Sequence, residues 1–308
     1  MIKAEHISKS YVSAGHAPVK ALDDVSFSVS DGELFGLIGP DGSGKTTMFR
    51  ILVTLILADK GVASVNGMDV VKDYEKIRNS VGYMPGRFSV YQDLTVNENI
   101  NFFASLFGVD KEESMPLIED IYGSLRPFGN RLAGALSGGM KQKLALCCAL
   151  IHKPDVLFLD EPTTGVDPVS RKEFWQMLRN LRSNGITIMV STPYMDEADM
   201  CDKIALMQKG MILALDTTEN LISQMGNQVW GVSGNNMYKL LCDVRSYRGT
   251  LRCYPFGNSH HVFFNSQEPD ISDFGNYLWG CGNENVKIER LEPCIEDCYL
   301  YITDGRRI

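Results

Sequence analysis

The sequence predicts an α/β fold with parallel strands, an all-helical insert and a small α+β unit at its end. Three observations carry this expectation. A short apolar run, Leu34–Ile38, ends in a glycine-rich turn and passes into an apolar helical pattern that continues to Leu57. A second apolar run, Val156–Leu159, closes on Asp160 and Glu161, the form of a buried parallel strand that delivers acids to its C-terminal edge. After about Met225 the pattern changes to strands near 229–232, 250–254, 261–264 and 286–291, with helices near 236–244, 270–278 and 295–302. That order is a βαββαβ unit with one further helix.

Taken in order, Ile2–Ile7 and Val25–Val29 read as strands joined by a polar loop, with Tyr11 where the first gives out. A tyrosine there is either ordinary packing or an aromatic surface for a base. The turn after Ile38 spells Gly39, Pro40, Asp41, Gly42, Ser43, Gly44, Lys45, Thr46, Thr47, the phosphate-loop pattern G-x-x-x-x-G-K-[ST]. Its glycines let consecutive N–H groups curl around an anion, and the following helix adds its partial positive end. Lys45 is expected to reach the outer phosphates and the Thr46 hydroxyl to ligate Mg²⁺.

Gly61–Val65 with Asn66-Gly67 reads as a hairpin, 72–80 as a charged helix and Val81–Met84 as a strand. Thr95 and Glu98 form a capping box that opens a helical stretch running to about Leu132, broken at Pro116, Pro127 and Gly129. Ser137, Gly138 and Gly139 then precede a helix over 141–151, as a plain N-cap or as a second small anion site. In a phosphate-loop protein, Asp160 is placed to hold Mg²⁺ and Glu161 to activate water. Asp167-Pro168 caps a further helix, 186–190 is a strand ended by Ser191-Thr192-Pro193-Tyr194, and 195–200 is acidic and helical. Ile204–Met207 and Met211–Leu215 flank Lys209-Gly210 as a hairpin.

Composition narrows the function. The chain has 308 residues and a formal net charge of −8, which argues against a nucleic-acid surface. The most hydrophobic run, Ile51–Ala58, is too short to span a bilayer, and no signal peptide is expected at the start. The eight cysteines are expected as thiols, and no close pair has zinc spacing. A soluble, intracellular protein follows, reaching a membrane only through a partner.

With these motifs assembled, residues 1 to about 225 resemble the nucleotide-binding subunit of an ABC transporter. Gly39–Thr46 resembles the family's Walker A loop and Leu136–Met140 its LSGGQ signature, with methionine in the last place. Val156–Glu161 resembles Walker B with its catalytic glutamate, Gly165–Pro168 the D-loop, and Tyr11 the adenine-stacking aromatic. Gly82-Tyr83-Met84-Pro85 and Tyr194-Met195-Asp196-Glu197-Ala198 narrow the likeness to bacterial exporters with separate permease chains, often multidrug-type. The resemblance implies an ABC-type ATPase domain over 1–225, with a mixed sheet core and a helical subdomain at about 95–135, then a small α+β extension over 226–308. It implies ATP and Mg²⁺ as ligands, with the loop residues, Tyr11 and Ser137–Gly139 contacting nucleotide, Thr46 and Asp160 holding the metal, and Glu161 catalytic. It also implies membrane permease partners, a second ATPase subunit in a dimer, and a cytoplasmic location at the inner face of the membrane.

Two positions depart from the family. Gly86 stands where the Q-loop glutamine is expected and Pro193 where the switch histidine is expected. Neither supplies a side-chain hydrogen bond. The resemblance therefore implies a site that holds ATP but hydrolyses it slowly, paired with a better equipped ATPase. The alternatives are a homodimer with Ser191 or Thr192 standing in, a regulatory ATP-binding subunit, or a soluble ABC protein of another class. One Walker A, no heptad run and negative charge weigh against the last.

Overall fold

The computed structural model describes residues 1–12, 17–86, 90–226 and 228–305. The chain divides into two compact units, Met1–Thr218 and Glu219–Ile308.

The first unit is the expected α/β fold, built on two sheets. A six-stranded sheet runs in the order Met211–Asp216, Lys203–Gln208, Leu34–Ile38, Thr187–Thr192, Val156–Asp160 and Val81–Met84. Its neighbours are parallel except at the Met211–Asp216 edge, so the sheet is mixed. Leu34–Ile38, Val156–Asp160 and Thr187–Thr192 are buried along their whole length, which explains their unbroken apolar runs. Their parallel direction brings the phosphate loop, the two carboxylates and Pro193 to one sheet edge, where ligands of open α/β sheets bind. A smaller antiparallel sheet pairs Ile2–Tyr11 with Val19–Val29 and Lys60–Val65. Phe27 stacks on Phe35 at 5.5 Å and Phe49 meets Phe158 edge-on at 5.9 Å, packing strands and phosphate-loop helix together.

That helix is shorter than its apolar pattern, spanning Lys45–Leu52. Thr54 takes a φ of 65°, and its hydroxyl and carbonyl accept from Arg78 at 2.8 and 2.7 Å. Leu55 and Leu57 are thereby left 53% and 61% exposed.

The insert is helical as expected, with Val96–Phe107 and Lys111–Tyr122 followed by short 3₁₀ turns. The Thr95–Glu98 capping box is present. Pro116 does not break its helix. It and Glu112, whose carbonyl loses its helical partner, both lie on the exposed face, open to solvent. The next helix starts earlier than expected, Gly138–Leu150, because Ser137 caps it. The 195–200 segment is a 3₁₀ turn.

The second unit has a four-stranded antiparallel sheet in the order Thr250–Phe256, Ser259–Phe264, Val229–Ser233, Lys287–Leu291. The helices are Met237–Ser246, Ile271–Gly280 and Ile295–Gly305, which completes the βαββαβ order and its last helix. All but the first residue of the helix Thr218–Met225 falls with this unit, whereas the change of pattern near Met225 suggests a later boundary. Leu221 is buried there and its carbonyl accepts from the Cys298 thiol at 3.5 Å. No helix among the described residues is long and apolar enough to cross a membrane.

Candidate functional site

The phosphate loop is shaped by close approaches that exclude side chains. A Cβ at Gly39 would lie 2.1 Å from the Met207 carbonyl oxygen, and one at Gly44 would lie 2.4 Å from that of Ala21. Gly42 and Gly44 also take φ of 76° and 109°, in the region open to glycine. Gly39 N–H donates to Thr192 and Ser43 N–H to Pro40, at 3.2 and 3.1 Å. The loop encloses a cavity of 370 Å³ lined by Asp41, Gly42, Gly44, Lys45, Thr46, Thr47, Ala21 and Glu161. Tyr11 reaches this rim, its hydroxyl 3.5 Å from Thr47 Oγ1, with the residue 40% exposed.

Lys45 is 3% exposed. Its ammonium donates to the Gly39 and Pro40 carbonyls at 2.8 and 3.2 Å and lies 3.4 Å from Glu161 Oε1. The same cation thus bridges the loop and the second carboxylate. Asp160, 2% exposed, accepts on Oδ1 from Ser191 Oγ at 2.6 Å and from Thr46 Oγ1 at 3.2 Å. One hydroxyl and one carboxylate oxygen side by side are hard donors of the kind Mg²⁺ takes. Ser43 Oγ, buried in the loop, has no hydrogen-bond partner among the described residues, so the cradle retains an unused polar group. The residues present therefore fit a magnesium–phosphate ligand.

Glu161 departs from ordinary backbone geometry at φ 50°. A non-glycine residue there carries strain of order 1–3 kcal/mol, kept only where the surroundings impose it. Here its N–H donates to Ser191, to the carbonyl at 3.1 Å and the hydroxyl at 3.0 Å. Its carboxylate is turned toward Lys45, with Thr164 Oγ1 3.5 Å from the other oxygen.

Gly86 faces this pair. A Cβ there would lie 3.1 Å from the Asp160 carbonyl oxygen and 3.9 Å from Oδ2. The space a longer side chain would enter belongs to a cavity of 240 Å³ lined by Thr46, Arg50, Tyr83, Pro85, Gly86, Asp160 and Glu161. Burial, and then the Asp160 charge, push the Tyr83 hydroxyl up to about 12, so it stays a neutral donor. The residues 87–89 that follow Gly86 lie outside the described residues. On the other side, the Ser191 and Thr192 hydroxyls beside Pro193 are fully buried and donate to Asp160 and Glu197. Neither proton is left for a phosphate oxygen.

The Ser137–Gly139 turn does not line the phosphate-loop cavity. Ser137 and Gly138 are exposed, while Gly139 is buried against Ser170, whose Oγ would be 2.8 Å from an added Cβ. Ser137 Oγ accepts from Met140 N–H at 3.3 Å, so the N-cap reading describes its contact within the chain. Glu197 was assigned no role by sequence reasoning. The available signal was a carboxylate in a short segment directly after a strand end, and only the fold reveals that the segment is buried.

A profile of the ABC transporter family matches residues 22–164. The chain is 40% identical over 230 residues to the probable multidrug ABC transporter ATP-binding protein YbhF of Escherichia coli, covering 74% of this chain and 39% of that one. It is 36% identical over 291 residues to the Nod factor export ATP-binding protein I of a Rhizobium species, covering 93% of both. It spans 65% of the doxorubicin resistance ATP-binding protein DrrA of Mycobacterium tuberculosis, at 39% identity over 218 residues, or 69% of this chain. Thus it covers less than two thirds of both YbhF and DrrA. Among solved structures, a dimeric bacterial ABC transporter cassette superposes with a TM-score of 0.64 at 25% identity, over 70% of this chain and 98% of that one.

Proposed function

This chain belongs to the ABC transporter family, and we propose that it is the ATP-binding subunit of an exporter whose permeases are separate chains. The observation that carries the proposal is the convergence of Lys45, Thr46, Asp160 and Glu161 at the sheet edge, where Thr46 and Glu161 line both the phosphate-loop cavity and the one beside Gly86. In this reading Gly39–Thr47, with Pro40, Asp41 and Ser43 among them, wrap the phosphates, and Tyr11 packs on the adenine. Lys45 exchanges its loop carbonyls for phosphate oxygens. Thr46 and Asp160 hold Mg²⁺, which when bound neutralises phosphate charge. Glu161 orients the attacking water and takes its proton.

The site is proposed to be slow. Gly86 offers no side chain to the water, Pro193 offers neither side-chain donor nor N–H, and the neighbouring hydroxyls are engaged. The loss of one phosphate contact in a preorganised site costs about 2.7–4 kcal/mol of transition-state stabilisation. The exposed Ser137–Gly138 turn is proposed to complete the site of a second, better equipped ATPase in a dimer. The permeases are proposed to dock on a 310 Å³ apolar cavity between the sheet and the helical insert, lined by Val53, Leu55, Phe103, Phe107 and Ala149, holding the chain at the inner face of the membrane. Leu55, exposed where the phosphate-loop helix stops, is available to such a partner.

Purification of the chain from its own cell tests the proposal. A membrane permease and a second ATPase are expected to come with it, with the complex binding MgATP. A chain recovered alone under conditions that preserve such complexes, or one that ignores MgATP, contradicts it.

A further inference from the structure

Glu197 has no part in the reading above, yet its carboxylate ties together three segments of the site. It lies on the turn Met195–Met200 and is 3% exposed. A carboxylate buried to that degree is retained only when paired and hydrogen-bonded. Its Oε1 accepts from Thr163 Oγ1 at 2.8 Å and from Arg171 Nε at 3.1 Å, and its Oε2 accepts from Thr192 Oγ1.

Each partner belongs to a different piece of the machinery. Thr163 lies two residues beyond Glu161, in a turn closed by Thr164 N–H on Glu161 O and Val166 N–H on Thr163 O, both at 3.2 Å. Thr192 precedes Pro193, and its hydroxyl oxygen also accepts from Tyr194 N–H at 3.1 Å, so the proline is bracketed. Arg171 sits on the helix Pro168–Ser183, next to the Ser170 against which Gly139 packs. Its guanidinium also lies over the Tyr194 ring, 4.2 Å from the centroid.

We propose that Glu197 is a positioning residue that holds the Glu161 turn in register with the Pro193 loop and with the helix behind the signature turn. The inference rests on the nucleotide-hydrolysing reading of the site. Glu197 does not line the phosphate-loop cavity, so it acts through Thr163 and Thr192 rather than on the reacting atoms. In Glu197→Gln the amide keeps one acceptor oxygen for Thr163 and turns an NH2 donor toward Thr192, so the charge and the Thr192 contact go while Arg171 stays paired with Asp196 at 3.2 Å. The strained Glu161 backbone then has less to hold it, and the fixed geometry on which catalysis depends is relaxed.

The test uses the full chain with Glu197→Gln and, as an isosteric second variant, Thr163→Val. Three quantities are read: affinity for a fluorescent ATP analogue with Mg²⁺, the kcat and KM of phosphate release, and hydrogen exchange across 160–171 and 191–198. Expected are an affinity and KM within about twofold of wild type, a kcat at least about tenfold lower, and faster exchange in both segments together. Wild-type kcat and exchange in folded variants overturn the inference. So does exchange that rises along the whole chain while affinity and kcat fall together, since that marks a merely structural carboxylate. A wild-type chain that does not bind MgATP refutes the functional reading instead, and the paired exchange of the two segments still decides the role of Glu197.

Discussion

Restoring the two missing side chains is expected to speed hydrolysis, and the structure sets the scale. Gly86 has no left-handed φ, and its Cβ position is 3.1 Å from the Asp160 carbonyl oxygen, so Gly86→Gln requires a shift of only a few tenths of an ångström. From there the amide enters the 240 Å³ cavity beside Thr46, Asp160 and Glu161. Pro193→His returns a donor at a loop already bracketed by the Thr192–Tyr194 hydrogen bond. One recovered transition-state contact is worth about 2.7–4 kcal/mol, or about 10²–10³ in rate. Strain at residue 86 reduces this, so the double variant is expected to gain about 10²-fold over wild type, with either single variant gaining less. The assay is steady-state phosphate release, with MgATP affinity measured alongside. An unchanged rate in a folded double variant that still binds MgATP refutes the assignment of slowness to these positions.

Three further outcomes follow. Asp297 in the C-terminal unit is fully buried and accepts from His261 Nδ1 at 2.7 Å and from Cys294 N–H at 3.0 Å. Burial pushes its carboxyl up, but the hydrogen bonds from His261 and Cys294 outweigh it and leave it below its ordinary value of 3.8. Its stabilisation is thus present above that pH and is lost as pH falls through the lowered folded-state value. Asp297→Ala is expected to cost about 1–3 kcal/mol at neutral pH, less in strong acid, read as a shift in the calorimetric transition of that unit. Leu55→Glu is expected to leave MgATP binding intact while permease co-purification falls by about tenfold, because the charge enters an apolar contact. Gly139→Val is expected to push the signature turn off Ser170 and slow the partner ATPase by about tenfold, again with MgATP affinity kept, in a reconstituted pair.

Much of the site was legible in the sequence because its motifs are local. The phosphate loop needs glycine where backbone atoms approach at 2.1 and 2.4 Å, so Gly39 and Gly44 announce it. Val156–Asp160 announces itself by being buried on both faces. Other features depend on distant residues and were not legible. The phosphate-loop helix stops at Leu52 because Arg78, 24 positions away from Thr54, bonds that residue. Pro116 sits inside a helix because its face is exposed. Glu197 looks like one acid in an exposed acidic turn, and its partners Thr163, Arg171 and Thr192 meet only in the fold. The engagement of the Ser191 and Thr192 hydroxyls is equally invisible in sequence, and it removes the simplest substitutes for a histidine at 193.

The reading proposed for this site is that it holds MgATP and turns it over slowly. Its most direct test is to load the purified chain with radiolabelled MgATP, remove the excess and follow the nucleotide that stays bound. Saturable binding abolished by Lys45→Ala is expected, with the bound label remaining ATP over many minutes and longer still in Glu161→Gln. Prompt conversion to ADP by the chain alone, abolished by Glu161→Gln, contradicts it.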